Sequence, residues 1–529
     1  MFISRRHPRE YGTVPGTAVP GTRGSGTGFC CRWGQTPALF LLAGLLALGA
    51  LNGELGGLGG DNAAYILLAK SLVTGQGYRS IWQPGAPPHT AYPFGFPLIL
   101  APIVALRGTH AYLAMHGMVI GWALLALILW IRWVRAETTA GIAWAGAVCL
   151  VTTPLWLAST QQILSEFPYL AFSLLALLCA QKLQRGTVPG LILAPGFVGL
   201  CLALLAAYFT RTVGITLIAT AAASLFWADR RDRGKAAAIR RLALLAACLL
   251  PPILAWTARD LWATRGPVTH YARLFLWADP YAWDRGPLSG ATLLHRIGGN
   301  LSYYVAALGR EMVWPTNLAG SWAAPWVGGA LALLMAAGFF LRWSRRSIAE
   351  RYILCYAALF LVWPYQESRF LLPVLPWLWL YLLEGGRLVA RLKIAVVTCN
   401  LAGCLWLVGL NLSGFHVEPV FRGFLAAHEW LRLNTPKETI VMTRKPTITA
   451  LLSDRRVVWI PYTGDDKEFL SILRDPGVDV VLDDGLFRET ALYLVPAVRR
   501  HLDLFEPEVI RFGPTSLLRV KRAPAGRRA

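Results

Sequence analysis

The stretch Gly59–Pro102 reads GGDNAAYILLAKSLVTGQGYRSIWQPGAPPHTAYPFGFPLILAP. Asp61 follows two glycines and precedes a helix-compatible run, the position of an N-cap. On that helix Asp61, Tyr65, Leu68 and Leu72 share one face, at spacings of four, three and four. Gly75 and Gly77 end it. Pro84, Pro87 and Pro88 lead through His89 to Tyr92–Pro97 and a second apolar helix that ends at Leu106. A helix of about a dozen residues is too short to cross a bilayer. It reads as a re-entrant or juxtamembrane piece, and the first helix as one lying along the membrane surface. Gly59–His110 is therefore a structured loop, and its flanks decide what kind of protein carries it.

Those flanks are apolar. The 529 residues are 55% hydrophobic and only 15% charged, with a mean hydropathy of +0.47. A soluble chain of this composition would need an implausibly large core, whereas a polytopic membrane protein needs many apolar runs of about 20 residues. Disorder, collagen and a small disulfide scaffold are excluded at once. Candidate spans are Pro37–Leu55, Tyr112–Ile131, Thr139–Leu155, Ile163–Gln181, Gly190–Ala207, Val213–Trp227, Leu242–Leu261, Ala323–Leu341, Ile348–Trp363, Phe370–Leu383 and Ile394–Leu412. They number eleven, within a range of about ten to thirteen because the shortest are near the spanning limit.

The net charge of +22 would point to nucleic acid in a soluble protein. Here its placement gives another meaning. With the N-terminus inside, the tail and the alternate short connections hold 22 lysines and arginines. The opposite short loops hold only Lys70, Arg79, Arg107, Arg211 and Arg369. This asymmetry orients a membrane protein with a cytoplasmic N-terminus. After eleven spans the C-terminus lies outside, and the plasma (inner) membrane is the expected location. Charge scattered over short turns forms no nucleic-acid surface.

Residues 1–35 read as a polar cytoplasmic tail, disordered in character, and 36–415 as the membrane domain. Residues 416–529 read as an exported α/β domain that serves as a lid or acceptor-binding accessory. In it Val420–Leu433, Asp465–Arg474 and Ala491–His501 are expected helices. Thr439–Thr443, Val457–Pro461, Val478–Leu482 and Ser516–Val520 are expected strands. The pair Asp483–Asp484 reads as a solvated turn sooner than as a cation site. All nine cysteines fall in the tail or the spans, which predicts buried thiols and no exported disulfide framework. Neither a C-x-x-C pair nor a metal-ligand cluster is present.

Against the sparse outer charge, four residues stand out: Asp61, Glu166 in QQILSEFPYL, Arg211 in AAYFTRTVG and Arg369 in WPYQESRFLLPVLP. Each has a plainer structural reading, respectively an N-cap, a carboxylate on a helix dipole, and two snorkelling arginines. Their convergence on one face from four loops suits a phosphate-bearing lipid whose leaving group is displaced. Gln366 and Glu367 accompany Arg369. Arg259–Asp260 reads as a self-paired couple of lower rank.

The order Asp61-Asn62-Ala63-Ala64-Tyr65, Gly75-Gln76-Gly77, Tyr92-Pro93-Phe94-Gly95-Phe96-Pro97 resembles the first loop of the GT-C glycosyltransferases. The likeness is closest to the bacterial branch that includes protein mannosyltransferases and the lipid A aminoarabinose transferase. Ser165-Glu166-Phe167-Pro168, Tyr208–Gly214, and Trp363-Pro364-Tyr365 through Arg369-Phe370-Leu371-Leu372-Pro373 resemble later signatures of that branch. The resemblance implies a polyprenyl-phosphate-sugar donor, an outward-facing site, an acceptor that is a lipid, glycan or protein, and inversion by a single displacement. It makes Asp61 the general base and Glu166 a second acid that positions acceptor or cation. Arg211 and Arg369 hold the departing phosphate, and Tyr65, His89, Tyr92 and Gln366 line the pocket. This sequence departs from the pattern at Asn62, where many relatives carry a second acid, at Ala64, where the aminoarabinose branch has arginine, and at Pro93-Phe94 in place of Pro-Pro. No cofactor is implied with certainty, and a divalent cation stays open. A flippase of polyprenyl-linked glycans and a non-catalytic membrane scaffold are the alternative readings.

Overall fold

The computed structural model describes residues 51–57, 59–185, 195–265, 268–280, 285–315, 322–345, 347–385, 390–413 and 419–521, with scattered positions before residue 50. The expected tail, most of the first span, and parts of the connections near residues 190 and 416 lie outside the described residues.

The quoted loop folds as two helices, α1 (Gly60–Val73) and α2 (Gly95–Arg107). Next come α3 (Tyr112–Glu137), α4 (Ala140–Thr152), α5 (Pro154–Thr160), α6 (Glu166–Arg185), α7 (Pro195–Thr210), α8 (Gly214–Asp232) and α9 (Lys235–Thr264). A shorter α10 (His270–Leu276) precedes α11 (Gly290–Met312), α12 (Ala324–Trp343), α13 (Ile348–Val362), a 3-10 turn at Ser368–Leu371, α14 (Leu375–Gly385) and α15 (Ala390–Leu412). Among the described residues five helical segments are long and apolar enough to cross a membrane: Tyr112–Glu137, Glu166–Gln184, Lys235–Thr264, Ala324–Trp343 and Ile394–Leu412. A sixth span results if α4 and α5 count as one, bent by 60°.

The difference from eleven has local causes. The sixth predicted span, α8, ends in Asp229, Arg230, Arg231 and Asp232. The ninth, α13, has only 15 residues. The tenth breaks into the 3-10 turn and an 11-residue helix, because Pro373 and Pro376 interrupt the helical hydrogen-bond ladder. Leu242, Leu250, Leu254 and Trp262 on α9 are exposed, as expected for a face that meets lipid. Of the thiols, Cys149, Cys201 and Cys404 are buried, but Cys248, Cys355 and Cys399 are exposed on helices rather than filling a core.

The C-terminal layer opens with α16 (Pro419–Asn434), followed by β1 (Ile440–Thr443), α17 (Pro446–Ser453), β2 (Arg456–Trp459), α18 (Asp466–Arg474) and β3 (Val480–Asp483). A π turn at Thr490–Leu494 runs into α19 (Val495–Arg500), and β4 (Phe505–Phe512) and β5 (Thr515–Val520) close it. The sheet order is β2-β1-β3-β5-β4. The first three strands are parallel, with Val441 paired to Val457 and Val480, and β5 runs antiparallel to both β3 and β4. Helix α17 and strand β4 were not expected. The first is a short Thr-rich run opened by Pro446, and the second carries only one fully buried residue, so its period is weak. Asp484 is not solvated. It is fully buried, accepting from the backbone N–H groups of Leu486 and Phe487 and from the Thr490 hydroxyl, so it caps the turn that follows.

One core joins this layer to the first loop. Ala63, Ile66, Leu67, Trp82 and Phe96 pack in the same cluster as Phe424, Leu431, Val441, Ile448, Leu451 and Val457. The N–H of Val457 donates to the Trp82 carbonyl at 2.8 Å, and the Thr447 hydroxyl donates to the Gly60 carbonyl at 2.8 Å. Helix α1 is accordingly buried from Asn62 through Ala69, and is not the one-faced surface helix that its spacing predicted.

Candidate active site

Asp61 sits in the first turn of α1 and does not cap it. The capping position is Gly59, and no side-chain hydrogen bond closes that end. The carboxylate is engaged elsewhere: the Tyr92 hydroxyl donates to Oδ1 at 2.7 Å and Arg369 Nη2 donates to Oδ2 at 2.6 Å. Arg369 Nη1 lies 3.7 Å from Glu166 Oε1, and its Nε lies 3.9 Å from Glu367. Glu166 Oε1 is in turn 2.5 Å from Arg211 Nη1. Arg211 donates to Ser165 Oγ at 3.2 Å, and the Tyr65 hydroxyl is 3.2 Å from the same oxygen. The Tyr65 and Tyr92 rings are 5.0 Å apart, so the chain of contacts closes into a ring. Both guanidinium groups rest near the Phe370 ring, at 5.7 and 5.6 Å.

Local sequence delivers each group. Pro364 follows α13, and the next turn, Ser368–Leu371, carries Arg369 inward. Glu166 begins α6. Arg211 follows the last residue of α7, at a turn where a Cβ on Gly214 would come within 2.7 Å of Tyr208 Cα. Gly95 lets the Tyr92–Pro97 passage pass close to the same place, since a Cβ there would meet the Phe209 carbonyl oxygen at 2.5 Å.

The ring is graded in exposure. The Glu166 side chain is 2% exposed and Arg211 15%, while Arg369 is 23% and Asp61 26% exposed. Glu166 Oε2 is buried and lacks a hydrogen-bond partner among the described residues. Burial pushes the Asp61 carboxyl up, but the Arg369 charge, the hydroxyl of Tyr92 and Arg211 outweigh it and hold the group below its ordinary value.

The remaining predicted residues fall into two layers. Tyr65 and Tyr92 line the ring directly. His89 stands behind, stacked on Tyr92 at 5.4 Å. Its Nε2 accepts from the Tyr92 N–H at 3.1 Å and its Nδ1 meets Ser80 Oγ at 3.0 Å, so it is neutral with the proton on Nδ1. Burial, His270 and Arg259 push it down to about 3. Gln366 is exposed and donates to Asn300 Oδ1, bracing the turn rather than meeting the carboxylates. Arg259 pairs with Asp260 at 2.6 Å and also holds the loop, donating to the carbonyls of His89 and Tyr78. Asn62 turns away from the ring and donates to the carbonyls of Leu55 and Gly56.

Two residues near the ring were not foreseen. Ser165 joins Arg211 to Tyr65, as above. Lys445, which precedes α17, sits 4.4 Å over the Phe487 ring. Burial and Arg444 lower its ammonium, and the charges of Asp61, Glu489 and Glu367 partly offset them. Only the shared core with the first loop could have pointed to it. No group of three His, Cys, Asp or Glu suited to a metal occurs among the described residues. Arg369 lies between Asp61 and Glu166, with Nη2 on the first and Nη1 toward the second.

The architecture superposes on that of an archaeal oligosaccharyltransferase, AglB from Archaeoglobus fulgidus, with a TM-score of 0.56 at 13% identity, over 85% of this chain and 69% of that one. It superposes equally on ArnT from Cupriavidus metallidurans, with a TM-score of 0.55 at 15% identity, over 94% of this chain and all of that one. The chain has the GT-C fold. The AglB structure is a complex with an inhibitory peptide and a dolichol-phosphate, and the ArnT structure is bound to undecaprenyl phosphate. No family model matches the sequence, and no curated protein does. The GT-C likeness thus rests on shape, consistent with the order of short motifs read from the sequence, and it covers both the helical part and the C-terminal layer.

Proposed function

We propose that this chain is an integral-membrane glycosyltransferase that moves a sugar from a polyprenyl-phosphate donor to an acceptor hydroxyl outside the membrane. The observation that carries the reading is the run of ion pairs Asp61–Arg369–Glu166–Arg211, two carboxylates and two guanidinium groups brought together from four segments. The ligands bound in the two neighbouring structures, dolichol-phosphate and undecaprenyl phosphate, support the lipid-phosphate part of it.

In this reading Asp61 accepts the acceptor's hydroxyl proton while the hydroxyl oxygen attacks the anomeric carbon from the face opposite the phosphate. The carbon–oxygen bond to phosphate breaks, and the lipid phosphate leaves with the electron pair. Arg211 and Arg369 stabilise the charge that develops on it. A donor phosphate that draws Arg369 away from Asp61 removes the charge that keeps this carboxylate weakly basic. Glu166 remains as the deep anion that holds both arginines in register. The proposed organisation is a cytoplasmic tail at 1–35, a membrane domain at 36–415 with eleven spans, and an outer domain at 416–529, in the plasma membrane with the N-terminus inside.

The test uses the purified full chain in proteoliposomes with a labelled polyprenyl-phosphate sugar and a hydroxyl acceptor. Release of polyprenyl phosphate that requires Asp61 supports the reading. Movement of label across the bilayer without release replaces it with a flippase, and neither activity leaves the scaffold.

A further inference from the structure

The helices that carry the ring at one end carry a second cluster at the other. Helix α6 begins at Glu166, and Gln184 lies 18 residues along it, about 27 Å at the rise of an α-helix. Helix α8 begins just after Arg211 and ends through Trp227 and Arg231. Helix α13 runs back from the Arg369 turn to Ser347 and Arg351. With Trp343 at the end of α12 and Arg345 beyond it, these far ends line a cavity of about 590 Å³.

Among the described residues its lining contains three arginines, Arg231, Arg345 and Arg351, and no acid. The hydroxyls of Ser224, Ser344 and Ser347 share the wall, and Arg351 already donates to Ser224 Oγ at 3.1 Å. Nearby carboxylates are engaged: Asp229 with Arg233 and Arg241, Asp232 with Arg231 of the lining, and Glu384 with Arg342 at 2.9 Å and more loosely with Arg345 of the lining at 3.6 Å. Trp227 and Trp343 flank the opening at 57% and 46% exposure. Exposed indoles beside basic groups at helix ends are the arrangement of a membrane interface, and basic pockets between such helix ends take anionic lipid headgroups.

We propose that this cavity binds the phosphate headgroup of an anionic membrane phospholipid, at the end of the bundle opposite Asp61. The arginines and serine hydroxyls hold the phosphate oxygens, and the two tryptophans contact the glycerol and upper acyl region. The site depends on the chain's being a membrane protein and not on the reaction proposed for Asp61.

The experiment uses delipidated full-length protein in detergent, titrated in parallel with phosphatidylglycerol, phosphatidylcholine and inorganic phosphate, and read by native mass spectrometry. Wild type should retain phosphatidylglycerol in preference to phosphatidylcholine. R231Q with R351Q should weaken that retention about thirtyfold, and R231Q alone about fivefold, the effect expected for basic residues facing anionic lipid. Arg231 has an exposed side chain, so the single variant reads the site even if the double one unfolds. Equal retention of the two lipids, unchanged retention in R231Q, or displacement of the lipid by inorganic phosphate at equal concentration would overturn the proposal. Because glycosyl transfer is not the readout, its loss or survival in these variants is a separate result.

Discussion

Arg369 Nη2 lies 2.6 Å from Asp61 Oδ2, joining the turn after α13 to the first turn of α1 across 308 residues of chain. The contact ties a carboxylate to a cation that the proposed reaction needs for another anion. Asp61→Asn should abolish the acceptor base while keeping the Tyr92 contact, lowering polyprenyl-phosphate release by about 10²–10⁴-fold. Donor binding, measured by retention of the labelled lipid, should persist. Wild-type release in this variant would remove Asp61 from the chemistry.

Removing the partner tests the same contact from the other side. Arg369 outweighs part of the burial effect that raises Asp61, so in Arg369→Gln the carboxyl titrates at higher pH than in wild type. Asp61 must be ionised to act, and activity is lost as pH falls through its value. The acid limb of the pH–rate profile should therefore move to higher pH, and the maximal rate should fall by about 10²-fold with the lost phosphate contact.

His89 predicts a pH-dependent stability. An unfolded imidazole takes up a proton near 6.5, but the folded one does so only at about 3. The unfolded state therefore binds more protons between those values. Stability is full above 6.5 and falls with acidification at up to about 1.4 kcal/mol per pH unit from this group. His89→Gln should flatten that part of a melting-temperature profile taken in detergent.

Lys445 and Thr447 test whether the C-terminal layer belongs to the site. Lys445→Met should raise the apparent KM for donor or acceptor about tenfold, the order of a charge-assisted contact, with little change in kcat. Thr447→Val deletes the hydroxyl that donates to Gly60. It should cost about 1 kcal/mol of stability and lower kcat instead, because that bond fixes the turn bearing Asp61. Two identical phenotypes would contradict the distinction.

At the far end of the bundle, fully buried Arg342 contacts Glu350 at 3.0 Å and Glu384 at 2.9 Å. Arg342→Ala leaves Glu350 buried without its counter-charge and Glu384 with only Arg345 at 3.6 Å, and should destabilise the protein by about 3–5 kcal/mol. Thermal unfolding followed by tryptophan fluorescence measures this without reference to activity.

Much of the site was legible because charge is scarce. In a chain 15% charged, an acid or arginine in a short loop opposite the basic face has few structural reasons to be there, and Asp61, Glu166, Arg211 and Arg369 were picked out on that ground. The helical pattern of Asp61 and Tyr65 was also legible, but the N-cap role was not, since capping and pairing with a distant arginine place the same residue at the same spot. Gln366 turns to Asn300, which was not legible because proximity to Arg369 in sequence does not say which face of a turn it occupies. Lys445 had no local signal, for its position follows from a core shared by segments almost 400 residues apart. Apolar runs and the described helices long enough to span do not correspond one to one, because hydropathy does not register where prolines break a run or where charges close it.

The bond from Thr447 to Gly60 and the packing around it make the C-terminal layer and the first loop a single heritable unit. Neither can drift alone: a change in α17 alters the seat of α1, and with it the aim of Asp61. A chimaera that imports residues 419–521 from a related enzyme should fail unless residues 59–110 travel with them, whatever acceptor the donor of that segment recognises.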